Sequence, residues 1–264
     1  MAHAKGPETN VAKFNISNVH VSIVTPLYNS AAFIADTICS VQAQTHRNWE
    51  MIIVDDCSSD HGAKIVRSYA DNDKRIKLVS LKENCGAAVA RNKAIEVASG
   101  DFIAFLDSDD LWKPKKLEKQ LSFMISNNYS FSFTSYEIMD DGGTSLQKII
   151  KADKLITYKK VLRRNPIGCL TAIYSVNTLG KIYMPLIRKR QDQGLWLKIL
   201  RDGTIAYGLN DPLAIYRLRK DSISSNKLDL VKYQWQLYRD IENLGLLKSL
   251  FYLIAVTYNK LIRF

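Results

Sequence analysis

The stretch "FIAFLDSDDLWKP" has aspartate at three of four consecutive positions, Asp107, Asp109 and Asp110, directly after an apolar run. Carboxylates this close repel one another, so a fold keeps them together only where water, backbone N–H groups or a cation share the charge. Asp107 and Asp109 are spaced so that one side chain can face a ligand while the other meets a divalent cation. Because Mg²⁺ and Mn²⁺ prefer oxygen ligands, such a loop can hold a metal that offsets the charge of a departing diphosphate.

The elements that position this loop are apolar strands alternating with amphipathic helices. The predicted strands are "VHVSIVTP", expected to stop at Pro26, then "WEMIIV", "IKLVS" and "FIAFL". This alternation indicates an α/β fold, with a mostly parallel sheet covered by helices on both faces. Ligands of such sheets bind beyond the carboxyl ends of the strands, where "TPLYN", "DDCSSD" and "DSDD" all lie.

An alternative is that the polar residues after each strand only cap the following helix, as Ser30 is expected to do. Capping explains any one of these loops. It does not explain all three loops together, or three aspartates in four positions.

The second half of the chain has a different pattern. A strand in "YSFSFTSYEIM" ends in the Gly-rich turn "DDGG", and further strands are expected near residues 169–174, 204–207 and 213–217. Residues 228–264 have the pattern of two amphipathic helices broken near Gly245.

The positive charge of the chain is concentrated in one segment. The whole chain has 37 Lys and Arg against 26 Asp and Glu, a formal net charge of +11. Residues 144–201 hold 13 Lys and Arg against 2 Asp, a surplus equal to that of the whole chain. This segment is either a solvated basic face or a surface for diphosphates and anionic lipid headgroups. Since no nucleic-acid-binding motif accompanies the charge, we expect no nucleic acid partner.

The cysteines and the chain ends favour a cytoplasmic protein. The four cysteines are far apart and form no C-x-x-C, which is typical of reduced, small buried thiols: Cys39, Cys57, Cys85 and Cys169. The N-terminal stretch has no apolar core of a signal peptide, and the apolar run at residues 249–258 is too short to span a bilayer.

Four patterns occur in order between residues 21 and 121: P-x-Y-N, V-D-D-x-S-x-D, N-x-G-x-x-x-A-R-N and D-x-D-D. Together with the later "RKRQDQGLWLKIL", they resemble the family 2 glycosyltransferases, which have the GT-A fold, a Rossmann-like sheet that binds nucleotide sugars. The resemblance implies a tail at 1–18 and a GT-A domain at 19–226, with a nucleotide-binding half at about 19–127 and an acceptor half at about 128–226. A helical extension follows at 227–264.

By this resemblance, Pro26 and Tyr28 border the base of the nucleotide, with Tyr28 packed against it. Asp55 or Asp56 accepts a hydrogen bond from the N3–H of the base. A carboxylate there favours uridine, because cytosine presents a lone pair at N3 and is repelled.

The resemblance also implies roles for three residues nearer the phosphates. Arg91 is expected near the nucleotide, Asp107 near the ribose, and Asp109 as the ligand of Mn²⁺ or Mg²⁺. The alternative for Arg91 is a structural ion pair with one of these aspartates. The segment "YRLRKDSISSNK" resembles one placed near the donor diphosphate, so it either offsets charge there or is a solvated loop; its basic residues are Arg217, Arg219 and Lys220.

Transfer with inversion needs a carboxylate that accepts the proton of the attacking hydroxyl. The family places this Asp in an acidic pair, commonly Glu-Asp, before a helix of the second half. Here the pair is Gln191–Asp192, so an amide replaces the first acid and Asp192 is the expected base. The alternative for Asp192 is an N-cap. Trp196 either lines the acceptor site or lies on an apolar helix face.

The final helices combine aromatic and aliphatic residues with Lys and Arg. Two interpretations are open: an interfacial helix on an anionic cytoplasmic leaflet, or packing onto the catalytic domain or a dimer mate. Packing is preferred. The oligomeric state is not readable from the sequence.

The function expected from the resemblance is that of a metal-dependent, inverting glycosyltransferase that uses a UDP-sugar. Its acceptor would be a bacterial surface-glycan precursor, such as an O-antigen or capsule repeat on a lipid carrier. The alternatives are a polyprenyl-phosphate glycosyltransferase and a non-catalytic nucleotide-binding scaffold. A nicotinamide enzyme would need G-x-G-x-x-G after the first strand, where this chain has "TPLYNS". A response-regulator receiver has its acidic pair after the first strand of the domain, and a glycoside hydrolase has no use for a uridine-type site.

Overall fold

The computed structural model describes residues 16–219 and 227–262, so the residues of the predicted tail before position 16, and Lys220, lie outside the described residues. The strands are β1 Val21–Leu27, β2 Trp49–Asp55, β3 Ile76–Ser80, β4 Phe102–Phe105, β5 Leu111–Trp112, β6 Phe131–Met139, β7 Ser145–Ile150, β8 Leu155–Ile156, β9 Ile173–Ser175 and β10 Ala206–Arg217. The helices are α1 Ile34–Gln42, α2 Gly62–Asn72, α3 Ala87–Val97, α4 Lys116–Ser126, α5 Tyr158–Arg163, α6 Val176–Leu179, α7 Gln191–Leu200, α8 Lys227–Gln236 and α9 Leu246–Ile262.

One sheet holds these strands in the order β3-β2-β1-β4-β9-β6-β10-β5, with β7 beside β6 and β8 beside β10. The pairs among β1, β2, β3 and β4 are parallel, whereas β9 is antiparallel to both β4 and β6. Strand order therefore runs outward from β1 in both directions, toward β2 on one side and β4 on the other. The predicted α/β fold is confirmed, and its binding crevice is expected beyond the ends of β1, β2 and β4.

Successive residues of the central strands explain why both faces of the sheet are covered. Val24 and Ile52 belong to the apolar cluster on one face, and Ile23 and Ile53 to the cluster on the other. Side chains alternate between the faces of a strand, so an uninterrupted apolar strand needs helices on both sides. Complete burial of each such side chain contributes about 1.5–3 kcal/mol.

Strand β1 continues through Pro26 to Leu27, although we expected it to stop at Pro26. Val24 is the last β1 residue paired with β4, and its carbonyl accepts the Leu106 N–H. Pro26 faces the same side as Val24, where the ladder with β4 has already ended. Its missing N–H therefore costs no sheet hydrogen bond.

The expected N-cap role of Ser30 is wrong. Helix α1 begins at Ile34, and the Ser30 hydroxyl donates instead to the Tyr28 carbonyl over 3.2 Å. The turn before the helix is held by Asp60, whose carboxylate accepts the N–H of Ala31 over 2.8 Å. The residue that accepts this N–H thus lies in the loop after β2, 29 residues further along the chain, so it cannot be recognised from the residues around the helix start.

The second half also departs from its predicted strands. The predicted strand that ends in the turn "DDGG" is confirmed as β6, and after this turn the chain returns as β7, antiparallel to β6. The strand expected near residues 169–174 is confirmed only at its end, as β9, because residues 169–171 form a 3-10 turn. β10 is one continuous strand where two were expected. The expected buried thiols are wrong for three of four: Cys39 lies on the outer face of α1, and Cys57 and Cys85 lie in exposed loops.

The C-terminal helices break near Gly245, as predicted. Tyr252, Leu253 and Val256 pack against the core on the inner face of α9. The outer face is exposed and apolar, with Leu247 82% and Ile254 68% exposed. Among the residues that the structure describes, no helix has the length and apolarity needed to cross a membrane. Both interpretations of this segment therefore have a structural basis, one on each face of α9.

Candidate active site

The loops after β1 and β2 meet at one edge of the sheet, as the sequence predicts. The backbone N–H of Asn29 donates to the Ser58 hydroxyl over 3.1 Å, and the N–H of Ser59 donates to the Asn29 side chain over 2.8 Å. Asn29 and Cys57 have positive φ angles of 46° and 60°, which turn the chain sharply in both loops. These contacts build one wall of a crevice.

Tyr28 presents an aromatic surface at this wall. It follows directly after β1, and 50% of it is exposed. Pro26 lies two residues earlier in the strand and is half-buried. An exposed ring at the carboxyl end of a strand is able to stack on a planar ligand.

Asp55 and Asp56 are both buried below this wall. The two oxygens of Asp56 accept the backbone N–H groups of Cys85 and Gly86 over 2.7 and 2.8 Å, which fixes the start of α3. Asp55 accepts the Ser58 N–H over 3.1 Å through one oxygen. Asp56 therefore has a structural role, and the carboxylate oxygens of both residues retain lone pairs for another donor.

Arg91 connects the two halves of the chain. It is buried, and its Nη2 donates to Asp107 over 2.5 Å while its Nη1 donates to Gln191 over 3.0 Å. Burial opposes its charge, but Asp107, together with Cys169 and Asp192, more than offsets this and raises the pKa of Arg91. The ion pair that we considered for Arg91 is present, and it also brings the start of α7 to the acidic loop.

The three aspartates of the opening stretch have three different partners. Asp107 accepts from Arg91, and Asp109 forms an ion pair with Arg219 at 3.2 Å. Asp110 is buried and accepts the backbone N–H of Arg217 over 2.9 Å. Burial raises the pKa of Asp110 well above its usual range, and the charges of Asp109 and Asp107 add to this effect. The repulsion among the three carboxyl groups is thus reduced, because one of them is buried and the other two are paired with arginines.

The basic segment after β10 lies beside this cluster. Arg217 is buried, and its guanidinium donates to the carbonyls of Asp109 and Asp141 over 3.0 Å each. Arg217 and Arg219 both lie over the ring of Phe33, at 4.8 and 5.0 Å from its centre. The alternative of a solvated loop is therefore wrong for Arg217.

The chemistry of Asp107 and Asp109 fits a divalent cation. About a quarter of each side chain is exposed, 29% for Asp107 and 23% for Asp109, whereas Asp110 is inaccessible. Burial, and after it the charge of the neighbouring Asp107, raise the pKa of Asp109. A bound cation would stabilise the charged form of this carboxylate. Within residues 16–219 and 227–262, no three His, Cys, Asp or Glu side chains form a metal-binding group, so further ligands would have to come from substrate and water.

Asp192 lies in the first turn of α7, next to Gln191, which Arg91 joins to the acidic loop. The N-cap residue is Arg190, so the alternative of Asp192 as an N-cap is wrong. One Asp192 oxygen accepts the side-chain N–H of Asn165 over 2.8 Å. Gln191 accepts from Arg91 and donates to the Arg188 carbonyl over 2.9 Å, so its amide satisfies two partners.

Trp196 was expected either to line the acceptor site or to lie on an apolar helix face. Trp196 is fully buried and packs against Phe105 and Phe131, with ring centres 5.6 and 5.2 Å away. It belongs to the apolar core and does not line the acceptor site.

Asn165 was missed, because a lone Asn after a short helix carries no sequence signal for a contact 27 residues away.

The family model described as Glycosyl transferase family 2 matches residues 22–180. This chain belongs to glycosyl transferase family 2. It is 52% identical over 229 residues to "Putative teichuronic acid biosynthesis glycosyltransferase TuaG" of Bacillus subtilis, covering 87% of this chain and 91% of that protein. It is 44% identical over 225 residues to "UDP-Glc:alpha-D-GlcNAc-diphosphoundecaprenol beta-1,3-glucosyltransferase WfgD" of Escherichia coli, covering 84% and 87%.

Solved structures support the fold of this family 2 glycosyltransferase. Staphylococcus aureus TarS 1-349 in complex with UDP-GlcNAc superposes with a TM-score of 0.69 at 21% identity, covering 90% of this chain and 71% of that one. The mannosyltransferase PcManGT from Pyrobaculum calidifontis, in complex with GDP-Man and Mn²⁺, has a TM-score of 0.65 at 18% identity, covering 90% and 72%. The family, the GT-A fold and the glycosyltransferase activity expected from the sequence are therefore confirmed.

Proposed function

We propose that this family 2 glycosyltransferase moves one sugar, with inversion, from a UDP-sugar to a hydroxyl of a lipid-linked glycan acceptor. The observation that carries the proposal is the Arg91 bridge, which joins Asp107 on the acidic loop to Gln191 beside Asp192. This contact supports the proposal because it holds the loop assigned to the leaving diphosphate close to the helix that carries the proposed proton acceptor. The names of WfgD and TuaG support this chemistry, since one states a UDP-Glc donor and a diphosphoundecaprenol-linked acceptor and the other states teichuronic acid biosynthesis.

For the donor, the exposed ring of Tyr28 with Pro26 beside it would border the uracil. Asp55 or Asp56 would accept its N3–H, and Asp107 would lie at the ribose. A carboxylate acceptor at this position discriminates against cytosine, because a buried acceptor facing a lone pair is left unpaired. The hydrogen bond from Arg91 would hold the Asp107 carboxylate in this orientation.

Asp109, with Asp107 beside it, would hold Mn²⁺ or Mg²⁺, and the bound ion would supply positive charge that stabilises the departing diphosphate. Arg219 and Arg217, which both contact Asp109, add positive charge beside the loop. Their positions agree with the predicted role of this segment at the donor diphosphate.

For the acceptor, Asp192 would take the proton of the attacking hydroxyl. The hydroxyl oxygen forms a bond to the anomeric carbon, the bond from that carbon to the diphosphate breaks, and the proton passes to the Asp192 carboxylate. Asn165 holds one carboxylate oxygen, so the other remains available to the hydroxyl.

A lipid-linked acceptor also suits the outer face of α9. This face exposes Leu247, Phe251, Ile254 and Tyr258, and the chain carries a net charge of +11. Apolar burial combined with attraction to anionic headgroups is the usual basis of peripheral binding. We propose that α9 contacts the cytoplasmic face of the membrane, where acceptors for an O-antigen, capsule or teichuronic acid are held.

A panel of nucleotide sugars, titrated by calorimetry with and without Mn²⁺, tests the donor and the metal. We expect a UDP-sugar to bind most tightly, with affinity that depends on the metal. Equal or tighter binding of a guanosine or cytidine donor would overturn the assignment to uridine. Incubation of the preferred donor with an alkyl-diphosphate-linked sugar, followed by NMR of the new linkage, tests transfer and its stereochemistry. Retention of the anomeric configuration would overturn the single displacement with Asp192 as base.

A further inference from the structure

Arg190, the residue before α7, has an uncommon backbone conformation. Its φ and ψ angles are 67° and 20°, in the left-handed region that few residues other than glycine adopt. Its carbonyl accepts the Gly194 N–H over 2.9 Å, which starts the hydrogen-bonding pattern of the helix. Strained conformations of this kind persist where the surroundings hold them, and they cluster at functional sites.

The guanidinium of Arg190 is also unpaired. Its Nε is buried and has no hydrogen-bond partner, and no carboxylate lies within ion-pair distance, among the residues that the structure describes. Arg91, Arg217 and Arg219 differ, because each donates to a carboxylate or carbonyl oxygen. Burial lowers the pKa of Arg190, against the opposing effect of Asp192, yet a guanidinium stays charged in proteins. A half-buried, charged and unpaired guanidinium is able to bind an anion from outside the protein.

Few acidic groups of the protein lie near Arg190, so its surroundings favour binding of an anion from outside the protein. Asp192 is the only acidic residue between positions 154 and 201, and its carboxylate is hydrogen-bonded to Asn165. Tyr238, the other titratable group that acts on Arg190, is buried and donates its hydroxyl proton to the Leu162 carbonyl. Among the residues that the structure describes, Asp192 is the only acid whose charge acts on Arg190, and the two form no ion pair.

We infer that Arg190 binds the phosphate of the acceptor, a sugar linked to its lipid by a diphosphate. This inference rests on the proposed function. The groups proposed for the donor diphosphate, Asp109 with Arg217 and Arg219, lie at the acidic loop, whereas Arg190 is two residues from Asp192 at the start of α7. The reacting hydroxyl and the phosphate on the anomeric carbon of one acceptor sugar are separated by a single ring. Because Arg190 and Asp192 are close enough for their charges to interact, the two side chains are able to contact these two groups of one sugar.

The test compares Arg190→Gln with Lys198→Gln, which removes the same charge from an exposed position on the same helix, about 12 Å further along at 1.5 Å per residue. The probe is α-D-GlcNAc diphosphate carrying an alkyl chain, titrated by calorimetry into the protein loaded with UDP. A neutral alkyl glycoside of GlcNAc is the second ligand. We expect Arg190→Gln to weaken binding of the diphosphate probe at least about tenfold, as expected for one charge-assisted hydrogen bond, and to leave the neutral ligand unchanged. Lys198→Gln should change neither.

No binding of the diphosphate probe to the unmodified protein, or equal losses for both ligands in Arg190→Gln, would overturn the inference. Binding of UDP by Arg190→Gln, measured in the same way, shows whether the variant is folded. Failure of the proposed function has a different signature: the unmodified protein would bind the diphosphate probe but transfer no sugar to it from any UDP-sugar. In transfer assays, Arg190→Gln should raise KM for the diphosphate acceptor, with little change in kcat.

Discussion

The side-chain amide of Asn165 donates a hydrogen bond to the Asp192 carboxylate over 2.8 Å. This contact shows which residue orients Asp192, now that Gln191 replaces the acid expected beside it. Gln191 is turned toward Arg91 and the Arg188 carbonyl, so it holds the start of α7 against the acidic loop. Orientation of Asp192 therefore falls to Asn165, from the loop after α5.

Asn165→Ala should lower kcat for sugar transfer about tenfold, because the Asp192 carboxylate loses the donor that orients it. KM for the UDP-sugar should stay unchanged, since no donor contact is altered. The control is Asn127→Ala, which removes an exposed amide bonded to the Phe123 carbonyl at the end of α4. An unchanged kcat in Asn165→Ala, or a parallel rise in KM for the donor, would contradict a positioning role.

Asp192→Asn should lower the transfer rate about 10²–10⁴-fold, because an amide cannot accept the proton of the hydroxyl. Binding of the UDP-sugar should persist in calorimetry. Asp202→Asn, an exposed position just after α7, should be as active as the unmodified protein. Near-normal turnover by Asp192→Asn would instead favour a phosphate acceptor, which needs no strong base.

Asp109→Asn should weaken Mn²⁺ binding to the UDP-loaded protein by at least about tenfold, since one carboxylate ligand is lost. Transfer should fall, and added Mn²⁺ should restore part of it. Removal of metal with a chelator should stop transfer by the unmodified protein, and readdition should recover it. The control is Asp71→Asn, an exposed position on α2. Full activity in the presence of chelator would contradict the metal site.

Acid should destabilise the protein in part through Glu50. Burial opposes its charge, but hydrogen bonds from Lys77, Ser22 and Ser99 outweigh it and lower the pKa of Glu50 from 4.5 to about 2. A lowered pKa stabilises the fold above pH 4.5, and this contribution is lost as the pH falls toward 2. It amounts to about 3 kcal/mol in the free energy of unfolding.

Urea unfolding at several pH values measures this contribution. Glu50→Gln should be less stable than the unmodified protein at neutral pH. It should also lose less stability between pH 4.5 and 2, because the group that titrates is gone. Parallel stability curves for the two proteins over this range would contradict the prediction.

Replacement of three residues on the outer face of α9, Leu247→Ser, Phe251→Ser and Ile254→Ser together, should reduce sedimentation with phosphatidylglycerol vesicles. The free energy of unfolding should change little, because these side chains are mostly exposed. Leu146→Ser, an exposed leucine on β7, should leave vesicle binding unchanged. Equal sedimentation of the triple variant and the unmodified protein would show that this face does not contact lipid.

Much of the fold can be predicted from the sequence, because local patterns encode it. Apolar strands such as "WEMIIV" alternate with amphipathic helices, and the polar residues after them, among them Tyr28, Asp56 and Asp107, are bound to lie at one edge of a parallel sheet. The order and spacing of four motifs were enough to predict the family that the comparisons show.

The pairing of side chains was decided only by the tertiary structure. Arg91 and Gln191 are 100 residues apart, Asn165 and Asp192 are 27 apart, and Arg217 meets Asp110 across 107 residues. Such contacts depend on strand register and on how helices cross the sheet, which no local periodicity specifies. For the same reason, a pattern of residue types did not distinguish a buried Trp196 from a ligand contact, or an exposed Cys57 from a buried thiol.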